Sequence, residues 1–364
     1  MSAIPAEGWS IAVKGDEQLS MAPDNMKVAW LKGRMQIEVG NLPIPDTKPS
    51  GMRVKVRSCG VCGSDINRMR NTTSRQPRVL GHEIAGDVIA VSDPNAKFQP
   101  GDRVAVGHVH VPCMHCVYCQ HRAYSMCRQF KSSSITPGGY SEYVDIPLDQ
   151  MLHTVLKIPD SVSYDDATFV DPIACCLKAL RRCGVRPLDR VLVVGAGIMG
   201  LLFAHLLKLM QADSIFLDIS TVRLDRAREC GAHHVLNPEN PDVVKEVLSL
   251  TGGNGVDFAL TTFTNRQIIA QVTTCVRDGG TLCIFAPPAF EETVNIDPGN
   301  LFYREQSIIS SYSSDSEDLE PAMRWIESGR IDIRSLITAH TDLEGIAAAV
   351  FGLKENGYKI IVHP

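Results

Sequence analysis

One stretch constrains this chain more than any other. An all-apolar run at residues 191–194 leads straight into Gly195, Gly197 and Gly200, a G-x-G-x-x-G pattern, and the helical pattern IMGLLFAHLLKLMQ follows at once. Each glycine has a physical task there. The first allows a tight turn, the second lets the backbone approach a pyrophosphate, and the third lets helix and strand pack closely. The helix start adds free N–H groups and a partial positive charge for the phosphates. Ile198 and Met199, between the glycines, belong to the same cofactor-binding turn. Asp218 ends the next strand candidate, SIFLDIS, at the place where an acid reads a ribose. A carboxylate there accepts hydrogen bonds from the 2′-OH of NAD and repels the 2′-phosphate of NADP. Arg223 can stack on an adenine or hold a phosphate, which keeps NADP open as a second choice. A structural glycine turn beside a surface acid is the plainer alternative, and the strand, helix and acid in their required order argue against it.

The surroundings extend this into a fold. DPIACCLKALRRCG reads as a helix, RVLVVGAG as a strand, TVRLDRARECGA as a helix, VDFALTT as a strand, and GTLCIFA as a further strand after a helical stretch. Strands alternating with helices imply an α/β, doubly wound parallel sheet, here over residues 176–308. Before it, residues 26–175 are different. MKVAWL, MRVKVRS, EIAGDVIAVS and DRVAVGHV alternate or run apolar between Gly, Pro and Asp punctuation, which reads as a β-rich, barrel-like domain. Residues 309–364 carry a helix candidate, DLEPAMRWIESG, and a last strand, YKIIVHP, that can return to the first domain. Residues 1–25 are a polar extension, either a flexible arm or an oligomer contact.

Composition excludes several classes. With 44% hydrophobic and 21% charged residues over 364 positions, the chain can bury a large core in about two domains without staples. A net charge of -5 gives no basic footprint for nucleic acid. No apolar run reaches the ~18 residues of a membrane span. The opening residues lack the layout of a secretory leader, so a cytoplasmic protein is expected.

Twelve cysteines in such a chain suggest metal binding or reduced core thiols, not disulfides. Cys113, Cys116, Cys119 and Cys127 form C-x2-C-x2-C-x7-C. Four thiolates suit tetrahedral zinc and leave no open position, which makes such a site structural. An iron–sulfur cluster is the rival, although the run lacks the C-P ending of bacterial ferredoxins, and four clustered thiols by chance is the third reading. His110, His115 and His121 flank the loop and read as surface histidines. Cys59, Cys175, Cys176, Cys183, Cys230, Cys275 and Cys283 read as small buried thiols.

A second constellation is scattered. Cys62 lies in CGVCGSD, His82 and Glu83 in GHE, and Asp171 at the start of DPIACC. One thiolate, one imidazole and carboxylates make a mixed, open site of the kind catalytic zinc uses. Such a zinc lowers the pKa of an alcohol so that hydride can pass to a nicotinamide. Each residue also has a bland reading: a core thiol, a turn histidine, and surface or helix-capping acids.

Together these motifs resemble the zinc-dependent medium-chain dehydrogenases, in particular the sorbitol/L-iditol branch, with the threonine dehydrogenase branch nearby. The resemblance runs from about Met26 to Pro364 through CGVCGSD, VLGHEIAG, FQPGDRVAV, CMHCVYC, GGYSEYV, DPIACCLKAL, VLVVGAGIMG, VNIDP and SYSSDSEDLEPAMRWIESGRI. It implies a GroES-like catalytic domain with two zincs per chain, a Rossmann domain for NAD, and a tail completing the catalytic domain. It also implies a homodimer or homotetramer acting on a small alcohol or ketone. By resemblance Cys62 and His82 are catalytic zinc ligands, Glu83 ligates or exchanges with water, and Asp171 stands where a glutamate is usual. Ser64 matches the hydroxyl that begins a proton relay, and His110 loosely matches a functional histidine of the threonine branch. The tail departs from the family, since Ala339 replaces a histidine and His340 sits one place on. The expected reaction is reversible oxidation of a secondary alcohol in a polyol, cyclitol, aminocyclitol or sugar phosphate. An L-threonine-type dehydrogenase and a non-catalytic zinc-binding relic are the alternatives.

Overall fold

The computed structural model describes residues 25–44, 51–73, 76–93, 97–287, 293–353 and 357–364. The expected extension 1–25 lies outside the described residues except for Asn25, where the first strand begins.

The glycine turn sits at the centre of a six-stranded sheet that is parallel throughout. Across the sheet run His234–Leu236, Asp213–Leu217, Arg190–Val194, Val256–Thr261, Val276–Ile284 and Ser307–Ser310. Numbered along the chain this is 3-2-1-4-5-6, the doubly wound order in which a ligand crevice opens where the winding reverses. The first strand of the unit, Arg190–Val194, is buried from Val191 onward, as helices on both faces of a parallel sheet require. The helix Ile198–Leu209 is apolar almost all round because it is buried between this sheet and a second helix, Val170–Cys183. That linking helix ends at Gly184, whose φ of 76° places it in the left-handed region and whose N–H closes on the Leu180 and Arg181 carbonyls.

The β-rich part forms a seven-stranded sheet in the order Ile337–Thr341, Lys359–Val362, Met52–Gly60, Glu83–Val91, Arg103–Val106 and Val155–Lys157, with Tyr143–Ile146 also paired to Met52–Gly60. A smaller sheet joins Gln36–Pro43, Asn25–Gly33 and Arg78–Val79. The tail strand Lys359–Val362 inserts beside Met52–Gly60, as the sequence suggests. The borders expected at 175 and 308 fall inside the linking helix and inside Ser307–Ser310, a strand that stays with the parallel sheet. No described helix is long and apolar enough to cross a membrane.

Candidate active site and metal centres

The strand Met52–Gly60 ends two residues before Cys62, which caps the helix Gly63–Asn71. Directly across from Gly60 lies Glu83, the first residue of Glu83–Val91. Gly81 has a φ of 91°, and a Cβ there would lie 2.8 Å from the Tyr140 backbone nitrogen. That tight turn delivers His82 beside Glu83. The result is that donor atoms of Cys62, His82 and Glu83 all lie within 4.8 Å of one another.

Partners for each donor come from distant parts of the chain. His82 Nδ1 stands 3.3 Å from Asp65 Oδ1, a buried carboxylate that also accepts from Tyr140 Oη at 2.9 Å. Burial works to raise the Asp65 carboxyl. The charge and hydrogen bond of His82, with the bonds from Tyr140 and the Cys62 amide, more than reverse that. A carboxylate on one imidazole nitrogen leaves the other nitrogen to face the metal. Glu83 is paired with Lys359, and both are buried. Burial lowers the Lys359 ammonium, and the Glu83 carboxylate more than restores it. Burial likewise lowers His82, and Asp65 and Cys62 carry it well above the ordinary imidazole range. Both shifts describe a pocket whose field favours added positive charge, which is what a divalent ion would supply.

Asp171, expected at the metal, stands outside this trio. It is buried and accepts from Ser314 Oγ at 2.8 Å. Burial raises its carboxyl, against the pull of His82 and Ser314. It thus lies within the electrostatic reach of the site without joining the donor group. Ser64 is exposed on the first turn of Gly63–Asn71. His110 packs on Phe130 and beside His108, their centroids 5.3 Å apart. His108 is the more buried of the two, and burial, with the neighbouring histidines, brings it down to about 3.

The cysteine loop folds on itself over Phe130. Cys116 Sγ lies 3.6 Å and Cys113 Sγ 4.0 Å from Cys119 Sγ. Tetrahedral zinc with ~2.3 Å bonds needs sulfur atoms ~3.8 Å apart, so the four thiols fit that ion. All twelve cysteines are free, and Cys113 N–H donates to Cys127 Sγ at 3.4 Å. The buried Lys178 ties the loop to the rest: its ammonium donates to Ser125 Oγ, the Tyr312 carbonyl and Asp315 Oδ1.

At the nucleotide turn, Gly195 has a φ of 94°, and Gly197 caps the helix Ile198–Leu209 with open space where its Cβ would be. Asp218 is 8% exposed and accepts from Ala196 N at 2.7 Å and Ser220 N at 2.9 Å, so one carboxylate, just past the strand Asp213–Leu217, shapes the turn. Ile198 and Met199 are half-buried at the helix start. Arg223 lies on the following helix, its backbone capped by Ser220 Oγ.

Comparison with known proteins agrees with this geometry. Residues 48–160 match the alcohol dehydrogenase GroES-like domain and residues 199–328 the zinc-binding dehydrogenase family. Sorbitol dehydrogenase of Bacillus subtilis is 30% identical over 94% of this chain and 98% of its own length. The chain belongs to the zinc-containing medium-chain dehydrogenases. Among solved structures, a zinc-binding dehydrogenase of Sinorhizobium meliloti bound to NADP superposes with a TM-score of 0.85 at 27% identity, covering 94% of this chain and all of that one. An alcohol dehydrogenase of Escherichia coli complexed with NADH gives 0.83 at 25% identity over 94% of this chain and all of its own. This dehydrogenase is therefore an enzyme of the alcohol and polyol class, built from a GroES-like and a Rossmann domain around zinc-binding residues.

Sequence reasoning missed Asp65, Tyr140, Ser314 and Lys359. Asp65 carries a local signal, three residues after Cys62 in CGSD. Lys359 carries none, because its partner lies 276 residues away.

Proposed function

We propose that this dehydrogenase reversibly oxidises a secondary alcohol of a polyol, cyclitol, aminocyclitol or sugar phosphate to a ketone, with NAD in preference to NADP. The observation that carries it is the Cys62, His82 and Glu83 trio, a mixed set of three donors, one fewer than tetrahedral zinc takes. When bound, zinc supplies a Lewis acid for the alcohol oxygen, and NAD accepts the hydride. Cys62, His82 and Glu83 would hold the catalytic ion, with Asp171 held by Ser314 in the field of His82. The second, structural ion would sit among Cys113, Cys116, Cys119 and Cys127. Asp65 orients His82. Ser64, exposed beside Cys62, receives the proton that the alcohol loses and passes it to solvent. Gly195, Gly197, Ile198, Met199 and Gly200 cradle the pyrophosphate, Asp218 reads the ribose hydroxyls, and Arg223 flanks the adenosine. The name of the Bacillus subtilis relative supports a polyol. The working form is a homodimer or homotetramer in the cytoplasm.

The test is NADH formation by zinc-loaded enzyme on sorbitol, iditol, galactitol, myo-inositol, aminocyclitols, sugar phosphates and L-threonine, with NADP in parallel. Turnover of a polyol, cyclitol or sugar phosphate with NAD supports the reading. Turnover of L-threonine alone, or reduction of NADP alone, overturns it.

A further inference from the structure

A third group of metal-binding side chains lies outside both centres. Asp165, His340 and His363 bring one donor atom each to within 4.8 Å of the others. The fold assembles them from three separate elements. Ile337–Thr341 runs parallel to Lys359–Val362, which is antiparallel to Met52–Gly60. This sheet edge carries His340, His363 just past the last strand, and Ser58 in one neighbourhood. Asp165 comes from the helix Tyr164–Ala167.

The geometry is that of a cation site with its outer partners already in place. His340 Nδ1 and His363 Nε2 are 3.1 Å apart, and the Asp165 carboxylate oxygens lie 3.6 Å and 3.7 Å from them. Tetrahedral zinc with bonds of ~2.1 Å needs donors ~3.4 Å apart. The separations bracket that value, with Asp165 turning Oδ2 to His340 and Oδ1 to His363. His363 Nδ1 faces the Arg57 carbonyl at 3.0 Å, where only an N–H can bond, so its Nε2 carries the lone pair. Ser58 Oγ donates to Asp165 Oδ1 at 2.5 Å. An imidazole fixed by a carbonyl and a carboxylate fixed by a hydroxyl are the partners that orient metal ligands. Nearby charges are already engaged: Arg57 pairs with Asp87, and Asp166 with Arg334. Asp165 therefore has no lysine or arginine ion pair among the described residues. The histidine side chains are 55% and 44% exposed, so an ion can enter and one position can stay with water.

We propose that Asp165, His340 and His363 form a third divalent-metal site. Two imidazoles and one carboxylate select a borderline ion such as zinc over magnesium or calcium. Bound there, the ion would clamp the end of the chain, through His363, to the neighbouring tail strand and to the helix bearing Asp165. This proposal does not depend on the reaction assigned above.

The test compares wild type with His340→Gln, His363→Gln and Ser58→Ala as full-length proteins dialysed against zinc buffered at about 10 µM free ion. Elemental analysis reads the difference in bound zinc, so the interior ions cancel. Each histidine variant should hold one equivalent less than wild type, and Ser58→Ala should bind that equivalent about tenfold more weakly. Starting from protein that holds only its two interior ions, zinc at about 10 µM should raise the Tm of wild type by about 5 °C and leave both histidine variants unmoved. Both histidines are exposed, so the glutamine variants are expected to fold. Equal zinc counts in wild type and variants, loss in only one histidine variant, or equal Tm shifts would overturn the site.

Discussion

Two glycines three residues apart, Gly197 and Gly200, make the sharpest test of the nucleotide turn, because the same substitution should do different things at each. A Cβ on Gly200 would lie 3.0 Å from the Gly195 carbonyl carbon and closer still to its oxygen. Ordinary contacts are ~3.5–4.0 Å, and the carbonyl oxygen is the nearer obstacle, so the helix would have to withdraw by more than ~1 Å. The obstacle is backbone, which has no rotamer to yield. Overpacking costs typically ~1–3 kcal/mol, and this case belongs at the upper end. For a unit of 150–250 residues, ~3 kcal/mol lowers Tm by about 6–12 °C. A Cβ on Gly197 meets nothing within 4 Å, and its φ of -74° suits alanine. The small cost of losing a glycine cap is offset by the reduced freedom of the unfolded chain, so Tm should move little. The new methyl does stand where the pyrophosphate must approach, and NAD binding should weaken at least ~10-fold, about 1.4 kcal/mol. Thermal unfolding and NADH fluorescence titration of Gly197→Ala and Gly200→Ala read the two effects separately. A Gly197→Ala protein that binds NADH as tightly as wild type would refute the close backbone approach.

Four further outcomes are expected. Cys62→Ser should abolish turnover while leaving Tm and NAD affinity nearly unchanged; retained turnover would remove the metal from the reaction. Asp218→Asn keeps an acceptor for the Ala196 amide but loses the charge, so the NAD-to-NADP affinity ratio should fall about tenfold, and an unchanged ratio would assign ribose reading elsewhere. In metal-free protein, Lys359→Met leaves the Glu83 carboxylate buried without its partner and should cost about 3–5 kcal/mol, whereas adding Glu83→Gln should recover much of it; additive losses in that double-mutant cycle would deny the pair. His108 is held near 3 in the folded state, below its unfolded 6.5, so the unfolded chain binds more protons between those values. Its stability contribution is complete above pH 6.5 and declines by up to about 1.4 kcal/mol per unit as pH falls toward 3. Tm against pH should be flatter over that window for His108→Gln, and parallel curves would contradict the buried neutral imidazole.

What the sequence determined by itself is local. The glycine turn needs only a strand, a three-residue turn and a helix, so its pattern survives in one dimension. The cysteine loop closes within fifteen positions (Cys113 to Cys127), and short loops leave their ligand spacing readable. The long apolar strands and helices were legible for the same reason. The half-exposed strands Gln36–Pro43, Val155–Lys157 and Ile337–Thr341 were not, because such a strand gets its stability from neighbours and not from its own pattern. Within the candidate site, Cys62, His82 and Glu83 were recognisable as residue types, yet nothing in the sequence distance of some twenty positions brings them together; the antiparallel pairing of Gly60 with Glu83 does. Tertiary packing likewise gives Asp171 a partner in Ser314, 143 residues away, and leaves it apart from the donor trio. The Glu83–Lys359 and His340–His363–Asp165 groups belong wholly to tertiary structure. Their members are separated by up to 276 residues, and only the return of the tail strand to the first sheet places them in contact. Local chemistry is written along the chain, whereas chemistry that joins distant strands exists only once the sheet has chosen its register.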